Sequence, residues 1–352
     1  MATIRKRGEF SWHVQVRVRG YPAQTKTFIK HEDAVAWAKE TEVAMQRGLF
    51  FDRSPAERTT VADLVKQYRE DILPLKRGRH FGPCLDAIEA EFGPYAVASV
   101  TSSAIATWRD KGLKKEKLAA STIRKRINTL SKLLDLASKE WGCPIATNPV
   151  KQVSKPPERN ARSRRLSPIE AKWLLVGADE SENPQLRPLI ETAIETGARL
   201  GELLSIERKD VDLKAGVLTV RGLSGEGSKN GEIRRVPLTK RARVVLKALP
   251  AGINQSRVFY SWGSPEATRI VWQKTLKRAK TAYHESCRKA GKKPEPGVFE
   301  DLVFHDLRHE AASRLAGKLS AQELCKMMGW KTLQMAMRYY HPTAEDLVKK
   351  VG

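Results

Sequence analysis

Between Val303 and Pro342 the sequence VFHDLRHEAASRLAGKLSAQELCKMMGWKTLQMAMRYYHP sets helix starts and stops so densely that little freedom is left to it. His305 and Arg308 fall one helical turn apart, which puts a proton-transfer group and a fixed positive charge on one helix face. Ala311 and Ala312 follow, small enough for another segment or a nucleic-acid backbone to come close. Ser320 with Glu323 is a capping-box pattern, Leu324, Met327 and Met328 point inward, and Gly329 stops the segment. A last short helix is expected after Thr332, ending in Arg338, Tyr339, Tyr340 and His341, and Pro342 cannot prolong it. Imidazole, guanidinium, indole and phenol are thus gathered within forty residues, with no paired acids suited to holding a catalytic metal.

Charge names the partner class. The formal net charge is +24 and the pI is near 10.0, with Lys and Arg recurring along the whole chain instead of in one tail, which points to nucleic acid. An anionic membrane surface would need a long basic amphipathic helix, and none is found. The absence of a long apolar stretch or a signal-peptide pattern leads to the expectation of a soluble protein made in the cytosol. Cys84, Cys143, Cys287 and Cys325 lie far apart without a C-x-x-C pair, so reduced, partly buried thiols are expected. At 352 residues and 41% hydrophobic content, two or three globular domains are predicted.

Residues 1–52 read as a small strand-and-helix module. Trp12–Arg19 alternates apolar with polar or basic residues and Thr25–Ile29 reads as a second strand. A helix from about Glu32 carries Ala34, Val35, Trp37, Ala38 and Val43 as its apolar stripe. Arg5, Lys6, Arg7, Arg17 and Arg19 are expected on the exposed strand face, which either lies in a DNA groove or is simply solvated. Asp52–Arg58 reads as a polar linker. From 59 to 153 the pattern is all-helical, with starts at Thr60, Ser103 and Ala120. The helix from Ala120 buries Ile123, Ile127, Leu130, Leu133, Leu134 and Ala137 and turns Arg124, Lys125, Arg126 and Lys132 outward, where they suit a DNA backbone or solvent. Val150–Arg165 reads as an extended basic linker able to track phosphates.

A third domain is predicted over 166–352, of mixed helices and strands. In Thr196–Leu203, TGARLGEL, Arg199 is site-facing and Glu202 sits where it can hold the guanidinium. Strands are expected at Val217–Arg221 and Glu232–Leu238, joined by a glycine-rich loop that lacks the ending of a nucleotide-binding loop. Lys229 lies in that loop, and a long basic helix follows over Ser264–Ala290.

These pieces together, H-x-x-R at His305 and Arg308, G-W at Gly329 and Trp330, Y-x-H at Tyr339 and His341, and T-G-x-R-x-x-E-L around Arg199, resemble the tyrosine recombinase or phage integrase family. The resemblance implies a multidomain, mainly α fold with small β-sheets: an arm-type DNA-binding module, a helical core-binding domain and a catalytic domain. It implies Arg199, Lys229, His305, Arg308 and Trp330 as catalytic residues, Glu202 as a supporting acid, and Tyr339 as the nucleophile that forms a 3'-phosphotyrosyl link without metal or ATP. Trp330 stands where many relatives carry a second histidine, and its indole has no basic nitrogen to shuttle a proton. Double-stranded DNA with core and arm sites, a tetramer on DNA, an excision factor and a host DNA-bending protein are the partners implied. Competing readings are a type IB topoisomerase, a DNA-binding regulator on the same scaffold, and a zinc hydrolase built on His305 and His309.

Overall fold

The structure, a computed structural model, describes residues 2–75, 81–157, 162, 164–221, 233–250, 252, 255–262, 264–340 and 348. The chain divides into two compact units, Met1–Ala161 and Arg162–Gly352. The first unit contains both the strand-and-helix module and the helical region.

In the module, strands β1 (Ala2–Gly8), β2 (Ser11–Val16) and β3 (Gln24–Phe28) form an antiparallel sheet in that order, and helix α1 (His31–Gln46) packs on it. Val14 and Val16 are fully buried with Ala34, Ala38 and Met45. Two expectations change here. β1 escaped the sequence reading because its ATIRKRG has one large apolar residue, Ile4; pairing of Ile4 with Val14 supplies what alternation does not. Val35 is 42% exposed, since the helix period carries the buried stripe along Ala34, Ala38, Thr41 and Met45 instead.

The segment expected as a polar linker forms helix α2 (Ser54–Arg58). Asp52 accepts the Ser54 N–H at 2.9 Å, Pro55 sits in the first turn where its missing N–H does no harm, and Ala56 is buried in the helical core. Helix α3 (Val61–Gln67) starts with the Thr60–Asp63 capping box and widens into a π turn over Tyr68–Ile72. Helix α4 (Phe81–Phe92) was not foreseen, because Gly82 and Pro83 at its head read as a turn. Helices α5 (Ser102–Lys114) and α6 (Ala120–Lys139) complete this layer. The six apolar residues named for α6 are all buried, among Leu85, Ile88, Phe92 and Trp108. Val150 and Val153 are buried there too, so the expected linker begins inside this core.

The second unit opens with α7 (Pro168–Asp179), capped by the reciprocal Ser167–Glu170 box. Helices α8 (Leu186–Thr196) and α9 (Leu200–Leu203) follow, and then the antiparallel sheet β4 (Val211–Asp212), β5 (Val217–Val220) and β6 (Arg234–Pro237). Leu218 and Val236 lie opposite each other and are fully buried. Helices α10 (Lys240–Ala248), α11 (Pro265–Lys289), α12 (Asp306–Ala316), α13 (Ala321–Met328) and α14 (Leu333–Met337) complete the unit. No helix among the described residues is long and apolar enough to cross a membrane. The four cysteines are free thiols, Cys84, Cys143 and Cys325 buried and Cys287 partly so.

Helices α7 and α11 approach backbone to backbone at Gly177, where an added Cβ would lie 2.6 Å from the Ala279 nitrogen and 2.8 Å from the Thr275 carbonyl oxygen. Backbone atoms cannot step aside as a flexible side chain does. Gly177→Ala should therefore lower the unfolding free energy by about 1–3 kcal/mol, read as a drop in the urea midpoint.

Candidate active site

Glycine ends α8. Gly197 takes the left-handed conformation (φ 63°), which is what favours glycine at this turn, and it lies against the flexible end of Met328. The chain then presents Arg199 at the head of α9. Glu202 accepts from the Arg199 backbone N–H and from its guanidinium, both at 2.8 Å. The same carboxylate receives Arg234 from β6 through two N–H groups at 2.9 and 2.6 Å, while Arg234 Nε donates to the Met327 carbonyl at 3.0 Å. Glu202 is 4% exposed. Burial would raise its carboxyl, but the hydrogen bonds and charge of Arg234, with help from Arg199, outweigh that and bring it down to about 2.

Helix α12 begins with an N–H-rich turn braced on both sides. The Arg162 guanidinium spans both oxygens of buried Asp306 at 2.7 and 2.9 Å, and Asp306 also accepts the Val303 N–H at 2.9 Å. Arg338 donates to the Arg162 carbonyl at 3.0 Å. Just upstream, Phe299 and Asp301 adopt left-handed backbone (φ 64° and 53°), a conformation that costs a bulky residue about 1–2 kcal/mol. Glu170 offsets that cost by accepting the Phe299 N–H at 2.7 Å.

Arg308 lies within this frame, 5% exposed, donating to the carbonyls of Gly197 and Met328. Burial, followed by the charge of Arg199, pushes its guanidinium down to about 9, so it remains a cation at neutral pH. Its Cζ sits 5.6 Å from the Trp330 ring, and Trp330 stacks on Tyr339 at 5.4 Å with the planes 7° apart. The Tyr339 hydroxyl meets Nδ1 of His309, whose ring stacks 6.0 Å away. His305 stands edge-on to His309 at 5.3 Å. The His305 side chain opens on to solvent. Even so, the mass of protein around it, and then the charges of His309, Arg308 and Arg199, push it down to about 4, leaving it neutral at pH 7. Burial pushes the Tyr339 phenol up, with Arg338 and Arg308 opposing. Tyr340 is turned away, its hydroxyl donating to the Leu319 carbonyl.

The structure therefore brings Arg199, Glu202, His305, Arg308, Trp330 and Tyr339 into one cluster, while Lys229 and His341 lie outside the described residues. Sequence reasoning missed Arg234, although its place two residues before buried Val236 on β6 marks an inward arginine that needs a carboxylate. It met His309 only as half of a zinc pair. Among the described residues no group of three or more His, Cys, Asp or Glu is placed to hold a metal ion.

The residues expected at DNA are less uniform than one face. Arg5, Arg7, Arg17 and Arg19 are exposed, yet Arg17 and Arg19 lie beyond the end of β2. Lys6 shares the α1 side of the sheet and covers Trp12 at 5.7 Å, because it is one residue out of phase with Arg5. On α6, Lys125 and Lys132 are exposed, whereas Arg124 donates to the Pro156 carbonyl at 2.9 Å and Arg126 reaches Glu116 at 3.5 Å. Three basic residues at the end of the expected linker pair with acids of the second unit: Arg162 with Asp306, Arg164 with Glu170 and Arg165 with Glu310.

The profile of the phage integrase family matches residues 164–346, more than half of the chain. The chain belongs to the phage integrase family. Its relatives include the shufflon-specific DNA recombinase of Escherichia coli, 33% identical over 261 residues covering 72% of this chain, and the integrase of Salmonella phage P22, 31% identical over 235 residues covering 66%. The alignments span 60% and 56% of those two proteins. The phage integrase fold is matched by a lambda integrase tetramer bound to a Holliday junction, with a TM-score of 0.60 at 18% identity, covering 94% of this chain and 95% of that one. The cluster around Tyr339 falls wholly inside the family match.

Glu202 is the anion for two cations, so Glu202→Ala strands both and should destabilise the protein by about 3–5 kcal/mol at pH 7 in denaturant unfolding. Its carboxyl is depressed from an ordinary 4.5 to about 2, so its contribution is complete above about pH 4.5 and fades as pH falls through 2. The gap between wild type and Glu202→Ala should narrow over that acid window.

Proposed function

We propose that this chain is a site-specific DNA recombinase that cuts and rejoins strands through a covalent tyrosyl–DNA intermediate. The observation that carries the reading is the setting of Tyr339, whose hydroxyl meets a histidine nitrogen while its ring lies on Trp330 beside Arg308. Tyr340 has its hydroxyl occupied by a backbone carbonyl.

A phosphodiester under attack gathers negative charge on its non-bridging oxygens, and preorganised cations stabilise it. Arg199 and Arg308 fill that role, each fixed by protein partners before DNA arrives. Tyr339 attacks phosphorus, the 5'-oxygen leaves, and a 3'-phosphotyrosyl ester conserves the bond energy for rejoining. In this reading Lys229 supplies the leaving oxygen's proton, and Trp330 packs against the nucleophile and the phosphate. His305 serves either the phosphate, as a hydrogen-bond donor, or the phenol proton. Glu202 holds Arg199 in place.

The domains proposed are an arm-binding module over 1–52, a core-binding region over 59–153 and a catalytic region over 166–352. The module's exposed Arg5 and Arg7 approach arm DNA, with Arg17 and Arg19 beside them; Lys125 and Lys132 approach the core backbone. Assembly is read as a tetramer across two duplexes, in line with the lambda integrase assembly, acting on the DNA of a bacterial host in its cytoplasm to integrate or excise a mobile element. An excision factor and a DNA-bending host protein are the accessory partners.

A nicked suicide substrate carrying the core site tests the chemistry. Wild type and Tyr340→Phe should give a protease-sensitive protein–DNA adduct, undiminished by a strong chelator, and Tyr339→Phe should give none. A surviving adduct in Tyr339→Phe would contradict the assignment. Removing residues 1–52 should abolish arm-site binding in gel shifts while core-site binding persists.

A further inference from the structure

Cleavage by Tyr339 requires its proton to go somewhere, and the groups around the phenol differ sharply in their capacity to take it. Near its ordinary pKa of about 10, fewer than about one phenol in a thousand is ionised at pH 7, and burial makes ionisation rarer. Arg308 and Arg338 present guanidinium groups, which donate hydrogen bonds and offer no acceptor atom. Trp330 presents an indole, a donor without a basic nitrogen. His305 contacts the edge of the His309 ring, one imidazole removed from the phenol. Among the described groups touching Tyr339, the acceptor is His309, with Nδ1 against the hydroxyl and its ring stacked 6.0 Å away at 28°.

We infer that His309 is a further catalytic residue, the base that takes the Tyr339 proton during strand cleavage and returns it during rejoining. The inference rests on the recombinase reading and decides between the two roles left to His305, assigning it to the phosphate. In cleavage the Tyr339 O–H bond breaks and the proton passes to Nδ1 of neutral His309, while the phenol oxygen forms its bond to phosphorus. The phosphorus–oxygen bond to the 5'-oxygen breaks, and that oxygen takes a proton from the acid on the leaving side. In rejoining the 5'-hydroxyl gives its proton back to the conjugate base of that acid as its oxygen attacks phosphorus, the bond from phosphorus to the phenol oxygen breaks, and the imidazolium at 309 reprotonates the departing phenolate. No oxidant, reductant or metal enters the balance.

The surroundings keep His309 ready to accept. Burial lowers its pKa; buried Asp306 on α12 opposes that, and Arg308 on α12, Arg338 after α14 and Arg162 of the linker lower it further. His305 stands edge-on. The net direction is down from 6.5, so the ring is neutral at pH 7. Its acceptor form carries the hydrogen on Nε2. Asp306, held between Arg162 and the Val303 N–H, fixes the helix turn from which His309 projects.

Asparagine places an oxygen close to where Nδ1 lies and can hold the phenol, yet it cannot carry the proton away. The test therefore uses full-length protein and the nicked suicide substrate, measuring single-turnover adduct formation against pH for wild type, His309→Asn, His309→Ala and His305→Asn. Expected are a slowing of about 10²–10⁴-fold in His309→Asn with core-site binding retained. The acid limb that wild type and His305→Asn show below pH 6.5 should vanish in His309→Asn, and added imidazole should recover the rate of His309→Ala. A His309→Asn rate within about threefold of wild type overturns the inference, as does a slow variant that keeps the wild-type pH profile, or a His309→Ala protein that binds DNA but ignores imidazole. Absence of any adduct from wild type strikes the recombinase reading itself and takes the inference with it.

Discussion

One buried carboxylate organises the cluster of candidate site residues. Glu202 accepts from Arg199 and Arg234 together and thereby joins the head of α9 to the first residue of β6. Burying the charges of Glu202 and Arg234 beside half-buried Arg199 is unfavourable unless each finds partners, and here the partners are supplied by the fold: the Arg199 N–H and the Met327 carbonyl complete the set. Such a group adds little net stability over an apolar filling of the same space. What it supplies is position, because a guanidinium gripped by a carboxylate is held in one orientation.

Arg308 solves the same problem differently. Its neighbours are carbonyl dipoles, from Gly197 and Met328, and an indole face. Carbonyls steady a cation without neutralising it, so the full charge is still available to an incoming anion. Gly197 therefore has two functions, reversing the chain after α8 and offering its oxygen to the Arg308 guanidinium. The sharp turn and the electrostatics come from the same residue, which is why neither can be altered alone.

Much of this was legible in the sequence wherever a local rule governs. The helix start at Thr60, the capping box at Ser320, the glycine stop at Gly329 and the α6 stripe all sit where spacing puts them. The pairing of Glu202 with Arg199, three residues apart, was readable for the same reason. What escaped depends on contacts distant in sequence. β1 is a strand because β2 lies beside it, and Arg234 is buried because Glu202, thirty-two residues earlier, awaits it. His309 was overlooked because its partner is thirty residues further along the chain. The end of the linker reads in sequence as extended basic chain able to track phosphates, and only the folded unit reveals the acids at 170, 306 and 310 that pair with Arg164, Arg162 and Arg165.

The contacts of Arg162 close a circuit. Its guanidinium holds the head of α12, from which His305, Arg308 and His309 project, and its carbonyl receives Arg338, the residue directly before Tyr339. Entry of the chain into the unit, the helix bearing the cation and histidines, and the turn bearing the phenol are fastened at one knot.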